Sequence, residues 1–174
     1  MSLKSFFAKI FANVVVVQQQ KWMIKPVVTQ ENLFHSLIQQ AKNTQFGKDH
    51  LFLAIKSHAD FVKYVPVRDY EALKPYIDKV VAGEKDVLWK GKPLYFAKTS
   101  GTTSGAKYIP ITKESMPYHV EGARNAILFY IQETGNADFV NGKMIFLQGS
   151  PEMTEKNGIK VGRLSGIAAH YVPK

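Results

Sequence analysis

The sequence predicts an α/β fold: a mainly helical region over residues 1–90, then strand–loop–strand–helix units begun but not closed over residues 91–174. Three observations carry that expectation. Apolar residues recur every three or four positions in the first half. Short strand-like runs punctuated by Gly, Pro and Asn fill the second. The chain then stops at Tyr171-Val172-Pro173-Lys174 with no closing element, so the second region is expected to be incomplete.

Taken in order, the first element is a helix with Leu3, Phe6, Phe7, Ile10, Val14 and Val17 on one stripe. Lys9 interrupts the apolar run and Gln18-Gln19-Gln20-Lys21 follows instead of a small-residue cleavage site, so a signal peptide is not expected. Lys4, Lys9, Lys21 and Lys25 could set such a stripe on anionic lipid, but packing against the protein is the expected use. A second helix covers Glu31 to Lys42, with Leu33, Phe34, Leu37, Ile38 and Ala41 on one face and Gly47 beyond it as a stop. Asp60 to Val67 is expected to turn into an extended segment, because Pro66 disfavours helical geometry at Val65. Pro75 suits the first turn of a short helix that Gly83 closes.

Lys90-Gly91-Lys92-Pro93 breaks the pattern. Leu94–Lys98 and Lys107–Ile111 follow as strands, with Pro110 marking an edge. Thr112 is a candidate N-cap for a helix burying Met116, Val120, Ala123, Ile127, Tyr130 and Ile131 and ending at Gly135. Asn141-Gly142 is expected to lead into a strand over Met144–Gln148. Asn157-Gly158 is the signature of a hairpin turn before Ile159–Val161.

Composition narrows the function classes. The 174 residues are 45% hydrophobic and 21% charged, which excludes a disordered tail. Cysteine is absent, so a disulfide scaffold, a thiolate zinc site and a cysteine nucleophile are all excluded. The 23 basic residues against 14 acidic ones give a net charge of +9, compatible with nucleic acid, anionic membrane, phosphate ligands or merely a solvated lysine-rich surface. The lysines are scattered rather than striped, and no aromatic-basic RNA motif occurs, so a nucleic-acid partner is not expected.

The chemistry lies between the two strands. Ser100, Gly101, Thr102, Thr103, Ser104 and Gly105 form an unbroken run of hydroxyls and glycines, led by Thr99 and flanked by Lys98 and Lys107. Glycine lets successive backbone N–H groups face an anion, hydroxyls add donors, and lysine adds a point charge. The run suits a polyphosphate. It is not a Walker A loop, since Gly101 and Gly105 stand one residue too close and Tyr108 follows Lys107. Nor is it a nucleophile elbow, because Gly101 to Gly105 and Gly162 to Gly166 both carry Gly-x-x-Ser-Gly.

Thr99-Ser-Gly-Thr-Thr-Ser-Gly-Ala-Lys107 resembles the phosphate-binding signature of adenylate-forming enzymes. Asn43-Thr-Gln-Phe-Gly-Lys-Asp-His50, Tyr64-Val-Pro-Val-Arg-Asp-Tyr70, Leu73-Lys-Pro-Tyr-Ile77 and Gly83-Glu-Lys-Asp-Val-Leu-Trp89 precede it, and Tyr108-Ile-Pro-Ile-Thr112 follows. In that order the motifs resemble the Gretchen Hagen family of auxin-responsive acyl acid amido synthetases, in its bacterial branch, from about Val28 to Lys174. The resemblance makes residues 91–174 the start of an adenylate-forming domain with its phosphate-binding loop at 99–107. It implies an ATP- and magnesium-dependent ligase that adenylates a small carboxylic acid and conjugates it to an amino acid through an amide.

By position, the resemblance has Ser100, Gly101, Thr102, Thr103, Ser104 and Gly105 hold the β- and γ-phosphates, while Thr99 shapes the loop entrance. Lys107 matches the signature lysine, either on phosphate or as an anchor for the loop. The magnesium ligands are expected downstream of this chain, which is expected to be an N-terminal portion that is inactive alone. A non-catalytic remnant or anion-binding module retaining the loop, and an acyl-CoA ligase type of adenylate former, are the alternatives. The expected location is the cytoplasm, without a membrane partner; the oligomeric state is open.

Other candidates carry less. His35, His50, His58, His119 and His170 show no pair at metal-ligand spacing, so no metal site is expected within the chain. Asp49-His50 is expected to cap or solvate the turn near Gly47. Glu121 and Arg124 are expected on the polar face of the long helix, and His119, one turn into it, is expected to be an ordinary surface or core histidine rather than one that faces a substrate.

Overall fold

Side chains that accept backbone N–H groups decide where four of the helices begin. The structure, a computed structural model, describes residues 2–99, 106–143, 145 and 147–171. Ser2 caps α1 (Leu3–Ile24) through the N–H of Ser5 at 3.1 Å. Thr44 caps α3 (Gln45–Asp49) through Gly47 at 3.0 Å, and Ser57 caps α4 (His58–Tyr64) through Asp60 at 3.2 Å. Asp69 caps α5 (Tyr70–Val81) through Ala72 at 2.8 Å. Between them, α2 (Pro26–Ala41) opens on a proline, whose missing N–H is no loss at a first helical position.

The remaining elements are β1 (Tyr95–Lys98), β2 (Tyr108–Ile111), α6 (Met116–Thr134), β3 (Thr154–Lys156), β4 (Ile159–Gly162) and α7 (Leu164–Ala169). The strands form one sheet in the order β2-β1-β4-β3. β1 pairs antiparallel with β2 and parallel with β4, while β3 and β4 form an antiparallel hairpin. The mixed helix-and-sheet architecture is the α/β class expected. Pro110 lies on the edge strand β2 opposite Phe96, where its missing donor breaks no ladder inside the sheet. Asn157 (φ 49°) and Gly158 (φ 80°) turn the β3–β4 hairpin as their sequence predicts.

The chain forms two units, each made of two segments. One comprises Met1–Gln30 with Pro117–Gln148; in it Ala12 and Val15 of α1 pack on Leu128, Ile131 and Ala137. The other comprises Glu31–Met116 with Gly149–Lys174 and contains the whole sheet. There, Ile77, Val80 and Val81 of α5 cover Phe96, Ile159 and Val161, and a second cluster joins Ile38, Ala41, Phe52 and Ile55.

Several expectations need correction. The α1 stripe at Leu3, Phe6, Phe7, Ile10, Val14 and Val17 faces outward, and the opposite side, with Ser5, Ala12, Val15 and Val16, is buried. Small Ala8 and Ala12 permit close approach on that side, which large phenylalanines do not. Gly47 is not a stop but sits buried inside α3, where a Cβ would lie 2.2 Å from the Ala41 carbonyl oxygen. The segment from Asp60 is helical through Tyr64, and only at Val65, before Pro66, does the backbone extend.

Pro75 lies inside α5 rather than opening it, because Asp69 starts the helix earlier. Gly83 (φ 93°) does close it. On α6, Ala123 and Tyr130 are exposed, whereas Leu128 is buried beside Ile131. Ile145, Leu147 and Gln148 belong to no strand, and Met144 and Phe146 lie outside the described residues.

Candidate functional site

The Ser/Thr/Gly run connects β1 to β2, so its ends are fixed by a strand pair. Lys98 lies opposite Tyr108 in that pair, and one step further the Thr99 N–H donates to the Lys107 carbonyl at 3.1 Å. That bond closes the neck of the loop. Ser100, Gly101, Thr102, Thr103, Ser104 and Gly105 themselves lie outside the described residues.

The neck is held from two sides. The Tyr108 N–H, on the free side of edge strand β2, donates to the Tyr70 hydroxyl at 2.8 Å. Lys107 lays its ammonium over the Tyr70 ring, 5.1 Å from the centroid. Lys156, at the end of β3, stands over the Tyr108 ring at 4.7 Å, and the same ring meets Phe96 edge-on at 5.8 Å. Tyr70 is the first residue of α5, and α5 also packs Ile77, Val80 and Val81 into the sheet core, so helix and sheet jointly hold Lys107 and Tyr108 at the neck. Lys107 thus rests on Tyr70 at the neck.

The parallel strands β1 and β4 both end on the loop side, at Lys98 and Gly162. Ligands in α/β sheets bind beyond the carboxyl ends of parallel strands. An open cleft of about 480 Å³ lies there, lined by Lys98, Ser150, Glu152, Thr154, Gly162 and Arg163 among others. Its far wall is tightly built. The Gly149 N–H donates to the Ser165 hydroxyl at 3.0 Å, and a Cβ on Gly166 would lie 2.2 Å from the Ser150 carbonyl oxygen. Among the described residues the ion pairs are Lys74–Asp78 and Lys90–Glu114, so Lys98 and Arg163 form none there. By contrast, the enclosed pocket beside Val87, Trp89 and Pro110 holds about 20 Å³, room for a water and nothing larger.

The donor set fits a polyphosphate chemically: hydroxyls and glycine amides in the run, two cations at the cleft, and one carboxylate, Glu152. Sequence reasoning missed Tyr70, Lys156 and Arg163. Tyr70 did sit in a motif, Tyr64 to Tyr70, but nothing in its spacing showed that its hydroxyl reaches a strand 38 residues away. Asp49 and His50 belong to a separate cluster. His50 is 4% exposed, stacks on Phe46 at 4.0 Å, and directs Nδ1 to the Phe46 carbonyl (2.7 Å) and Nε2 to Arg68 (2.6 Å). Asp49 accepts from the Tyr76 hydroxyl at 2.8 Å. Burial first, and then this carboxylate, pushes the Tyr76 phenol above its usual range. His119, Glu121 and Arg124 are exposed on α6.

Comparison with known proteins gives a consistent picture. Residues 16–172 match the model described as the GH3 family N-terminal domain. A jasmonoyl-L-amino acid synthetase, JAR4, of Nicotiana attenuata is 25% identical over 136 residues, covering 76% of this chain and 23% of that protein. Indole-3-acetic acid-amido synthetase GH3.15 of Arabidopsis thaliana is 29% identical over 76% of this chain and 22% of its own length. The solved structure of a GH3.15 acyl acid amido synthetase superposes with a TM-score of 0.71 at 21% identity, over 81% of this chain and 26% of that one. The chain therefore spans about a quarter of the length of the proteins it matches. These relatives are plant proteins and lend no support to the bacterial branch expected from the motifs.

Proposed function

Because the chain belongs to the GH3 family, we propose that it forms the N-terminal, phosphate-holding part of an acyl acid amido synthetase. On this reading, residues 91–174 begin the adenylate-forming domain and the loop at 99–107 receives the polyphosphate of ATP. ATP with magnesium supplies the activation: a carboxylate oxygen bonds to the α-phosphorus and pyrophosphate leaves, after which an amino acid nitrogen attacks the acyl carbon and AMP leaves. The hydroxyls and amides of Ser100, Gly101, Thr102, Thr103, Ser104 and Gly105 hold the β- and γ-phosphates, where negative charge gathers as pyrophosphate departs. Thr99 sets the loop entrance, and Lys107 keeps the loop in place. A small carboxylic acid and an amino acid are the substrates, and the cytoplasm is the setting. Magnesium ligands and the amide-forming step belong to regions that this chain does not contain.

The observation that carries the reading is the closed neck: a Ser/Thr/Gly run tied at Thr99–Lys107 and fastened to α5 through Tyr70, at the carboxyl end of a parallel strand pair. Calorimetric titration of the chain with magnesium-ATP tests it. Binding is expected, weakened at least about tenfold by Thr102→Val together with Lys107→Ala, since a hydrogen bond to a charged group contributes about 1.5–3 kcal/mol. Unchanged affinity in that double variant would remove the loop assignment. For the reaction itself, a family-length polypeptide carrying this segment should exchange pyrophosphate into ATP only when the carboxylic acid is present.

A further inference from the structure

Among the described residues of its own unit, nothing covers the apolar stripe of α1. Leu3 (73% exposed), Phe6, Phe7 (58%), Ile10, Phe11, Val14 (49%) and Val17 all open outward. At 3.6 residues per turn they fall within about 80° on either side of one line along the helix. The buried residues Ser5, Ala12, Val15 and Val16 lie on the opposite side. Lys4 borders the stripe on one side, Lys9 lies further round on the other, about 60° beyond Phe6, and Lys21 and Lys25 follow near the end of the helix. From Met1 to Gln30 there is no Asp or Glu, and none of these four lysines forms an ion pair among the described residues.

The pattern discriminates between occupants. A second copy docked through the same face would set lysine against lysine with no carboxylate between them. Phe6, Phe7, Ile10, Phe11 and Val14 all precede residue 16, where the family-model match begins. Aromatic and aliphatic side chains bordered by lysines, without acidic residues, are complementary to a negatively charged lipid surface. No described helix is long and apolar enough to cross a membrane, which leaves an in-plane mode.

We propose that the outer face of α1 is a docking surface for an anionic lipid bilayer, with the helix lying in the headgroup plane and its aromatic rings in the acyl boundary. The inference is independent of the ligase reading.

Vesicle co-sedimentation of the full chain tests it, using phosphatidylcholine alone and phosphatidylcholine mixed with phosphatidylserine. The chain is expected to sediment with the mixed vesicles, less so in high salt and poorly with the neutral ones. In a Trp89→Phe background, the emission of Trp22 should move to the blue on binding. Lys4→Gln with Lys9→Gln should weaken partition about thirtyfold, as two basic residues near an anionic surface would. Phe7→Glu with Val14→Glu should abolish it while circular dichroism stays unchanged, since both positions are exposed. No sedimentation of the wild type, or equal sedimentation of the glutamate variant, would overturn the proposal. So would a light-scattering mass of two chains that the glutamate variant reduces to one, which assigns the face to self-association instead.

Discussion

His50 has both ring nitrogens committed inside a nearly dry cluster. Its Nδ1–H donates to the Phe46 carbonyl, so Nε2 must be the acceptor for the Arg68 guanidinium. Arg68→Ala therefore leaves a buried acceptor without its donor and should cost about 1–3 kcal/mol in urea unfolding. His50→Phe combined with Arg68→Ala should cost less than the sum of the single changes, because the stranded acceptor disappears. Tyr171 gives a pH signature. Its hydroxyl donates to that of Tyr95 at 3.0 Å, and this bond first, with burial second, pushes the phenol up to about 12 from its ordinary 10.0. A raised value means the contribution is whole below pH 10 and is lost as pH rises through 12. Tyr171→Phe should accordingly flatten the alkaline fall in stability, read by denaturant unfolding from neutral pH upward. Sequence placed His50 beside a turn and it does cap α3, but a lone histidine carries no periodicity, so its burial was not legible.

The joint between α2 and α3 turns on two side chains, or on one and the lack of another. Thr44 donates to the Ala41 carbonyl at 2.7 Å while accepting from Gly47, and Gly47 leaves the space a methyl would need. Gly47→Ala forces backbone apart and should destabilise the protein by roughly 2–3 kcal/mol, seen as a lower Tm. In α5 the opposite change is available. Exposed Pro75 denies the Glu71 carbonyl its helical donor, so Pro75→Ala should stabilise by about 2 kcal/mol, after the more flexible unfolded chain offsets part of the gain. Legibility at this scale followed the strength of local rules. Asn157-Gly158, Gly83, Gly135 and Pro110 each occupy the position their backbone chemistry demands. Gly47 and Pro75 misled, since a tertiary contact and an upstream cap, Asp69, overrode them. The α1 stripe announced an amphipathic helix, yet apolar residues lie nearly all round it, so periodicity could not choose the side that packs.

Across the whole molecule, neither unit is continuous in sequence. β4 sits inside the sheet between β1 and β3, although 60 residues separate it from β1. A chain ending at Gln148 should therefore lose the covering of Phe96 by Ile159 and Val161, and with it cooperative unfolding followed by circular dichroism. The α/β class and the two strands that flank the Ser/Thr/Gly run were legible because each rests on neighbouring residues. The pairing of β1 with β4, and the Tyr70 fastening of the loop, were not, because both join segments far apart in sequence. The pairing of α1 with the far end of α6 has a consequence for biosynthesis. Ala12 and Val15 leave the ribosome well over 100 residues before Leu128, Ile131 and Ala137. At 5–20 residues per second, α1 waits roughly 5–25 s with both of its faces bare. For that interval the nascent chain presents its most apolar surface to chaperones, to lipid and to its neighbours on the polysome.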